Sequence, residues 1–214
     1  PRMGSNFSAS LQLTPPYSLF RKKDLGTLDA NGNPLKVASY KDINYDKWSS
    51  ADRYKWIEYH KWKVSGELYT KVIGDFVIMS RAQFGYLGYY NRKWGYSPFE
   101  GFRVGGDGMS GYDTYGADVI ALRGYENYSL TPWDVTPYNS NGYYAGNVYD
   151  KFTMEFRYPV ILQPQSTIFV LGFLEGGNCW SDIKKFNPFQ IKRSAGVGVR
   201  VFLPMIGLLG IDWG

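Results

Sequence analysis

The sequence predicts an all-β fold, an antiparallel transmembrane β-barrel, and three observations support this fold class. Apolar and polar residues alternate with a period of two in several segments, which is typical of strands with one apolar and one polar face. These segments reach about ten residues, the length that a tilted strand needs to cross a membrane. Aromatic residues make up 18% of the chain and crowd the strand ends, where membrane barrels carry aromatic girdles.

About eight segments are candidate strands, and the first four lie in the N-terminal half of the chain. They are Phe7–Leu13, Trp56–Tyr69, Asp75–Tyr89 and Phe99–Val104. The first alternates apolar residues with Ser and Gln, and in the second Trp62, Val64 and Leu68 share one side. The third is long and carries aromatic residues at its far end, which indicates a spanning strand.

The other four candidate strands follow a long glycine-rich stretch. They are Phe152–Val160, Ser166–Glu175, Val197–Leu203 and Leu209–Trp213, with turn-forming pairs such as Asn141-Gly142 between segments. The chain has no long helical pattern, and no apolar stretch approaches the roughly 18 residues that a spanning helix needs.

Composition and motif content exclude several other classes. The chain has 214 residues, 44% hydrophobic and 20% charged, which is enough to bury a core and is unlike a disordered chain. Cys179 and His60 are single, so the sequence predicts no disulfide, no metal site and no His-based or Cys-based catalysis. The stretch Gly106–Gly111 matches a dinucleotide-binding pattern, but no helix pattern follows it. We therefore expect a protein that is not an enzyme and has no cofactor.

The formal charge of +5 comes partly from small basic groups. They are Arg21–Lys23, Lys184–Lys185 and Lys192–Arg193. Each lies between apolar runs, which indicates solvated loops or contacts to lipid headgroups rather than a nucleic-acid interface.

The tetrapeptide Leu122-Arg123-Gly124-Tyr125 closes the glycine-rich stretch that begins at Gly101. A connection of this length usually has a function, because an ordinary hairpin needs only a few residues. Inside a barrel, Arg123 would require a carboxylate, and Glu155 and Glu175 lie on polar faces of the following strands. Arg157 lies on the same face as Glu155 and is the third candidate residue of the inner wall. A solvent-exposed arginine in a mobile loop is the alternative.

An ordered set of motifs accompanies this tetrapeptide. It comprises Phe99-Glu100-Gly101-Phe102, Gly105-Gly106, Leu122-Arg123-Gly124-Tyr125, Glu155-Phe156-Arg157-Tyr158-Pro159, Phe173-Leu174-Glu175-Gly176-Gly177-Asn178-Cys179-Trp180 and Gly196-Val197-Gly198-Val199-Arg200-Val201-Phe202-Leu203-Pro204. In order and spacing, this set closely resembles the C-terminal barrel of the BamA family of outer-membrane protein assembly factors, within the POTRA-barrel assembly and translocation superfamily.

The resemblance implies that residues 1–214 are part of an outer-membrane barrel domain, about the C-terminal half of a sixteen-stranded barrel. Residues 95–148 would then hold a strand and the long extracellular loop, which folds back into the lumen and docks Arg123 on the inner wall. The POTRA domains and the final strand of the family are not present in the sequence, so a fragment of a longer chain is expected.

The implied function is assembly of outer-membrane proteins at a weak barrel seam in the bacterial outer membrane. The implied partners are unfolded outer-membrane protein clients, accessory assembly lipoproteins and outer-membrane lipid or lipopolysaccharide, with no nucleic acid. Three alternatives stay open: a self-contained small outer-membrane barrel (adhesin, porin or enzyme), a POTRA-barrel translocation transporter, and a soluble sugar-binding sandwich.

Overall fold

A computed structural model describes residues 3–17, 56–92, 95–108, 116–136, 139–163, 166–204 and 207–214. Seven long strands form one antiparallel sheet in the order β1-β2-β3-β8-β9-β10-β11. Their bounds are β1 Gly4–Leu13, β2 His60–Lys71, β3 Val77–Gly88, β8 Val148–Gln163, β9 Ser166–Trp180, β10 Lys192–Leu203 and β11 Gly207–Trp213. Each long strand pairs with the next long strand along the chain, as in an up-and-down barrel wall.

The two faces of this sheet differ in chemistry, as the period-two pattern predicts. One face exposes apolar side chains, which include Phe7, Trp62, Val64, Leu68, Phe152, Met154, Leu174, Val197 and Val199. The other face carries polar and charged side chains such as Lys61, Lys151, Glu155 and Glu175, all of which are buried. A single sheet with an exposed apolar face and a buried polar face is the arrangement of a partial β-barrel, not of a two-sheet sandwich. No helix in the described ranges is long and apolar enough to cross a membrane.

The connection from β3 to β8, residues 89–147, is called the lid, and its described residues fold over the polar face. The described residues of the lid form four short strands, β4 Phe102–Val104, β5 Asp118–Ile120, β6 Trp133–Thr136 and β7 Asn139–Tyr144. Strands β4 and β5 pair in parallel, and β6 pairs with β7 in an antiparallel hairpin. The lid therefore has secondary structure of its own, unlike a simple hairpin loop.

A small hydrophobic core joins the lid to the wall. Phe102 and Val104 of β4 have no exposed surface and pack with Leu87, Tyr149 and Cys179 of the wall strands. The Phe102 ring meets the Tyr149 ring edge-on, with 4.8 Å between centroids. Burial of this kind stabilises a segment by about 1.5 to 3 kcal/mol for each large side chain, so the base of the lid is fixed to the wall.

One prediction about local structure was wrong. Phe99–Val104 is not a spanning strand, because only Phe102–Val104 is extended and it pairs with β5 inside the lid. The glycines that follow, Gly105 and Gly106, both have positive φ and end the strand. Cys179 belongs to β9 and is buried in the core between lid and wall. The basic group Arg21–Lys23 lies outside the described residues.

Candidate functional site

Arg123 lies at the tip of the lid, where three acidic side chains of the wall converge. Its Nη2 atom donates hydrogen bonds to Oε1 of Glu155 at 2.7 Å and to Oε1 of Glu175 at 2.8 Å. Its Nη1 atom donates to Oδ2 of Asp212 at 3.3 Å. The backbone N–H of Arg123 also donates to Oε2 of Glu175, at 2.9 Å. Both oxygens of Glu175 are thus bound by one residue of the lid.

The register of the wall explains why these carboxylates meet. Thr153 of β8 is opposite Glu175 of β9, and Glu155 is opposite Phe173. Glu155 and Glu175 are therefore diagonal neighbours on the inward face, where long side chains can share a partner. The guanidinium fits between them and lies 3.8 Å from the centroid of the Phe173 ring, so a cation–π contact accompanies the ion pairs.

A glycine on the next strand keeps the Phe173 ring in place. Gly196 of β10 is opposite Phe173, and a Cβ atom at Gly196 would collide with that ring and with the Trp213 carbonyl. The absence of a side chain lets the ring lie close to the wall. Phe173 can then serve as a platform for Arg123.

Further groups hold the two glutamates from the opposite side. Arg157 donates two hydrogen bonds to Oε2 of Glu155, at 2.8 and 2.6 Å. Lys151 Nζ lies 3.2 Å from Oε1 of Glu175, and the Thr153 hydroxyl donates to the same oxygen at 3.2 Å. The described contacts thus place Arg157 on Glu155, whereas Arg123 meets both glutamates that the sequence left as alternatives.

The other residues of the tetrapeptide also contact the wall. Leu122 is fully buried and lies over Gly177 of β9. Gly124 has a φ of 82°, a conformation that side chains disfavour, and its backbone lies beside Ser194 of β10. The Tyr125 hydroxyl donates to the backbone carbonyl of Arg193, at 2.9 Å. Each of the four residues of the motif therefore contacts the wall in the docked lid.

Asp212, Lys151 and Phe173 were missed by the sequence prediction. Asp212 lies on β11 and is bound at both oxygens by Arg200 of β10, at 2.6 Å each. The sequence contained a signal for Asp212, because the period-two pattern of Leu209, Ile211 and Trp213 puts Asp212 on the polar face. Through Asp212, the network reaches from β8 to β11.

Electrostatics favour a permanently charged Arg123. Burial alone lowers the pKa of its guanidinium, but the hydrogen bonds and charges of Glu175 and Glu155 outweigh that effect and raise the pKa above its usual value. A polar cavity of about 890 Å³ adjoins the lid tip, and its lining carries both signs of charge, including Arg81, Arg200 and Glu126. Among the described residues, no group of His, Cys, Asp and Glu side chains could hold a metal ion.

The fold and this site define an outer-membrane type of β-barrel wall with a lid docked on its inner face. The Omp85 superfamily domain matches residues 46–214, and the chain belongs to the Omp85 superfamily. Proteins of this superfamily are outer-membrane proteins, and membership indicates outer-membrane protein assembly or translocation. A search of curated proteins gave no match to the chain.

Proposed function

We propose that this chain is part of an outer-membrane protein assembly factor of the BamA type, which inserts β-barrel clients into the bacterial outer membrane. The observation that carries the proposal is the docking of Arg123 on Glu155, Glu175 and Asp212. It gives the lid a fixed position on the inner wall, as expected if the lid supports a barrel whose seam moves. The ordered motifs around the tetrapeptide favour an assembly factor over a translocation transporter.

The proposed mechanism requires no covalent catalysis, so the protein is not an enzyme. A barrel with a weakly paired seam can lend the edge of one strand to an incoming client, whose strands then pair by backbone hydrogen bonds. This pairing matters because an unsatisfied backbone group in lipid costs several kcal/mol. The client then folds without exposing its backbone polar groups to the membrane core.

In this mechanism the lid acts as a brace. The three carboxylates that bind Arg123 lie on β8, β9 and β11, so one side chain connects strands that are not all adjacent. Charge-assisted hydrogen bonds of this kind resist separation of the strands that carry them. The wall strands that carry these carboxylates therefore keep their relative positions while the seam opens.

The proposed partners are unfolded outer-membrane protein clients, accessory assembly lipoproteins and the lipid or lipopolysaccharide of the outer membrane. Apolar side chains such as Trp62, Phe152 and Leu174 on the outward face suit contact with lipid. The lumenal face is charged and covered by the lid, which does not suit an open pore.

The test is reconstitution of the intact native protein in vesicles with two kinds of substrate. We expect it to speed the folding of an unfolded barrel protein into the vesicle membrane, measured by the shifted gel mobility of folded barrels. Transport of an unfolded soluble passenger into the lumen, without faster client folding, would contradict assembly and identify a translocation transporter. Empty vesicles and vesicles with an unrelated porin serve as controls.

A further inference from the structure

A second set of ion pairs fixes the lid to the wall at a distance from Arg123. Lys61 of β2 is 1% exposed, and its Nζ lies 2.7 Å from Oδ2 of Asp118 in the lid. Lys63, two residues further on the same face, lies 3.1 Å from Oδ1 of Asp118. The Lys61 ammonium also lies 5.1 Å from the centroid of Phe102. Asp118 is thus held by two cations of one wall strand.

The segment from Asp118 to Arg123 is six residues long, and we call it the strap; its first three residues form β5, and Arg123 lies in a turn. Its β5 portion is paired with β4. Beyond β5, the carbonyl of Ala121 accepts a hydrogen bond from Lys151 Nζ at 2.6 Å. The N–H of Leu122 donates to the carbonyl of Gly106 at 2.9 Å. The strap is therefore held along its length as well as at its ends.

The wall partners of the strap change from strand to strand along it. Asp118 binds lysines of β2, Ala121 binds Lys151 of β8, and Arg123 binds Glu175 of β9. Five residue steps of chain reach at most about 16 Å, and three strand spacings from β2 to β9 cover about 14 Å. The strap thus crosses the inner face of β2, β3, β8 and β9 instead of running along one strand.

We propose that the strap is a tie across the wall, in which Lys61 and Asp118 are positioning residues that hold the end opposite Arg123. Because both ends are fixed by ion pairs to buried wall residues, Lys61 at one end and Glu175 at the other, a change in the curvature of β2–β9 must stretch or release the strap. Arg123 alone cannot impose that constraint, since its three carboxylates lie on β8, β9 and β11. The inference is independent of the client and holds for an assembly factor or a transporter.

The test measures the distance between β2 and β9 in the intact native protein. Spin labels are placed on the outward face at Val64→Cys and Leu174→Cys in a Cys179→Ala background, and pulsed electron spin resonance gives the distance distribution. We expect one narrow distance in the parent protein and a second, displaced population after Asp118→Asn. Asp118→Glu, which keeps the charge, should restore the narrow distance. Asp134→Asn, elsewhere in the lid, is the matched control and should leave it unchanged.

An unchanged distribution after Asp118→Asn would overturn the proposal, since the strap would then carry no constraint. If Asp118→Asn yields no folded barrel, Lys61→Gln replaces it, because that variant removes the buried cation that the proposal names and keeps the Lys63–Asp118 pair. A displaced population in Lys61→Gln supports the strap, and an unchanged one overturns it. No client is present in this measurement, so its result does not depend on the assembly proposal.

Discussion

Arg123 and Glu175 are joined by two hydrogen bonds, one from the backbone N–H at 2.9 Å and one from the guanidinium at 2.8 Å. The backbone bond fixes the position of the chain, and the side-chain bond fixes the direction of the guanidinium. A substitution that keeps the charge of residue 123 preserves the first bond but not the geometry of the second. The pair therefore sets both the place and the orientation of the lid tip.

Glu175 is expected to be the most sensitive carboxylate of the site. Its side chain is 2% exposed, and Arg123, Lys151 and Thr153 all donate to it or pair with it. Glu175→Gln should lower the free energy of unfolding by about 3 to 5 kcal/mol, because it leaves buried cations without their partner. Urea unfolding in lipid vesicles measures the change. Glu155→Gln should cost less, since Arg123 keeps both bonds to Glu175; an equal or larger cost would contradict this ranking.

The hydrophobic core at the base of the lid should stabilise the protein independently of the ion pairs at the lid tip. Phe102 is fully buried against Tyr149 and the other core residues. Phe102→Ala should destabilise the folded protein by about 3 to 5 kcal/mol, the usual cost of removing a buried ring. It should also expose the lid to protease. Phe189→Ala, at an exposed position in the β9–β10 connection, is the control, and similar losses in both variants would argue against a lid core.

Asp212 should contribute less to stability than Glu175 does. It is partly exposed, and solvent screens its ion pairs with Arg200 and Arg123. Asp212→Asn should change the free energy of unfolding by no more than about 1 kcal/mol. The same urea titration is the check. A loss as large as that of Glu175→Gln would mean that β11 is more tightly coupled to the lid than its exposure indicates.

The strap should respond to acid through Asp118. Burial raises the pKa of Asp118, but Lys61 and Lys63 outweigh that effect and lower it below the usual aspartate value. Ionised Asp118 therefore stabilises the strap above that usual value, and the contribution is lost as the pH falls through the lowered pKa. Glu100 also faces Lys61, and the pKa of the Glu100 carboxyl is raised, mainly by burial. As the pH falls, Glu100 is therefore protonated before Asp118, and its protonation favours the folded state.

Amide hydrogen exchange of residues 118–123 tests this pH dependence. Exchange, corrected for the intrinsic effect of pH, should stay slow from pH 7 down to the usual aspartate range near pH 4 and become faster below it. In the Asp118→Asn variant, exchange of these amides should not become faster at low pH. Faster exchange that begins well above pH 4 in the parent protein would contradict the account, because protonation of Glu100 favours the folded state.

Much of the wall follows from its sequence, because period-two alternation and strand length carry the information. Seven of the eight predicted segments form the main sheet, with bounds shifted by a few residues, as Leu209–Trp213 begins at Gly207. The lid did not follow from the pattern. Strands β4 and β5 have three residues each and depend on pairing with each other and on burial against Leu87 and Tyr149, which a local pattern does not encode.

The site was predictable where a motif or a face constrained it. The polar faces of β8 and β9 singled out Glu155 and Glu175, while their register, which lets one guanidinium reach both, came only from the structure. Lys61 was missed because a lysine on a charged strand resembles a solvated side chain. Only the folded lid brings Asp118 to it across 57 residues of sequence. The functional role of the tetrapeptide remains a prediction to be tested.

The most direct test of the central claim is the client-folding rate of the intact native protein carrying Arg123→Ala. The account predicts a barrel that still folds, a lid tip that becomes sensitive to protease, and a large loss of client folding. Arg92→Ala, in the same connection, is the matched control and should behave like the parent protein. An Arg123→Ala protein that folds clients at the parent rate, with its lid tip still resistant to protease, would contradict the claim that docking of Arg123 supports assembly.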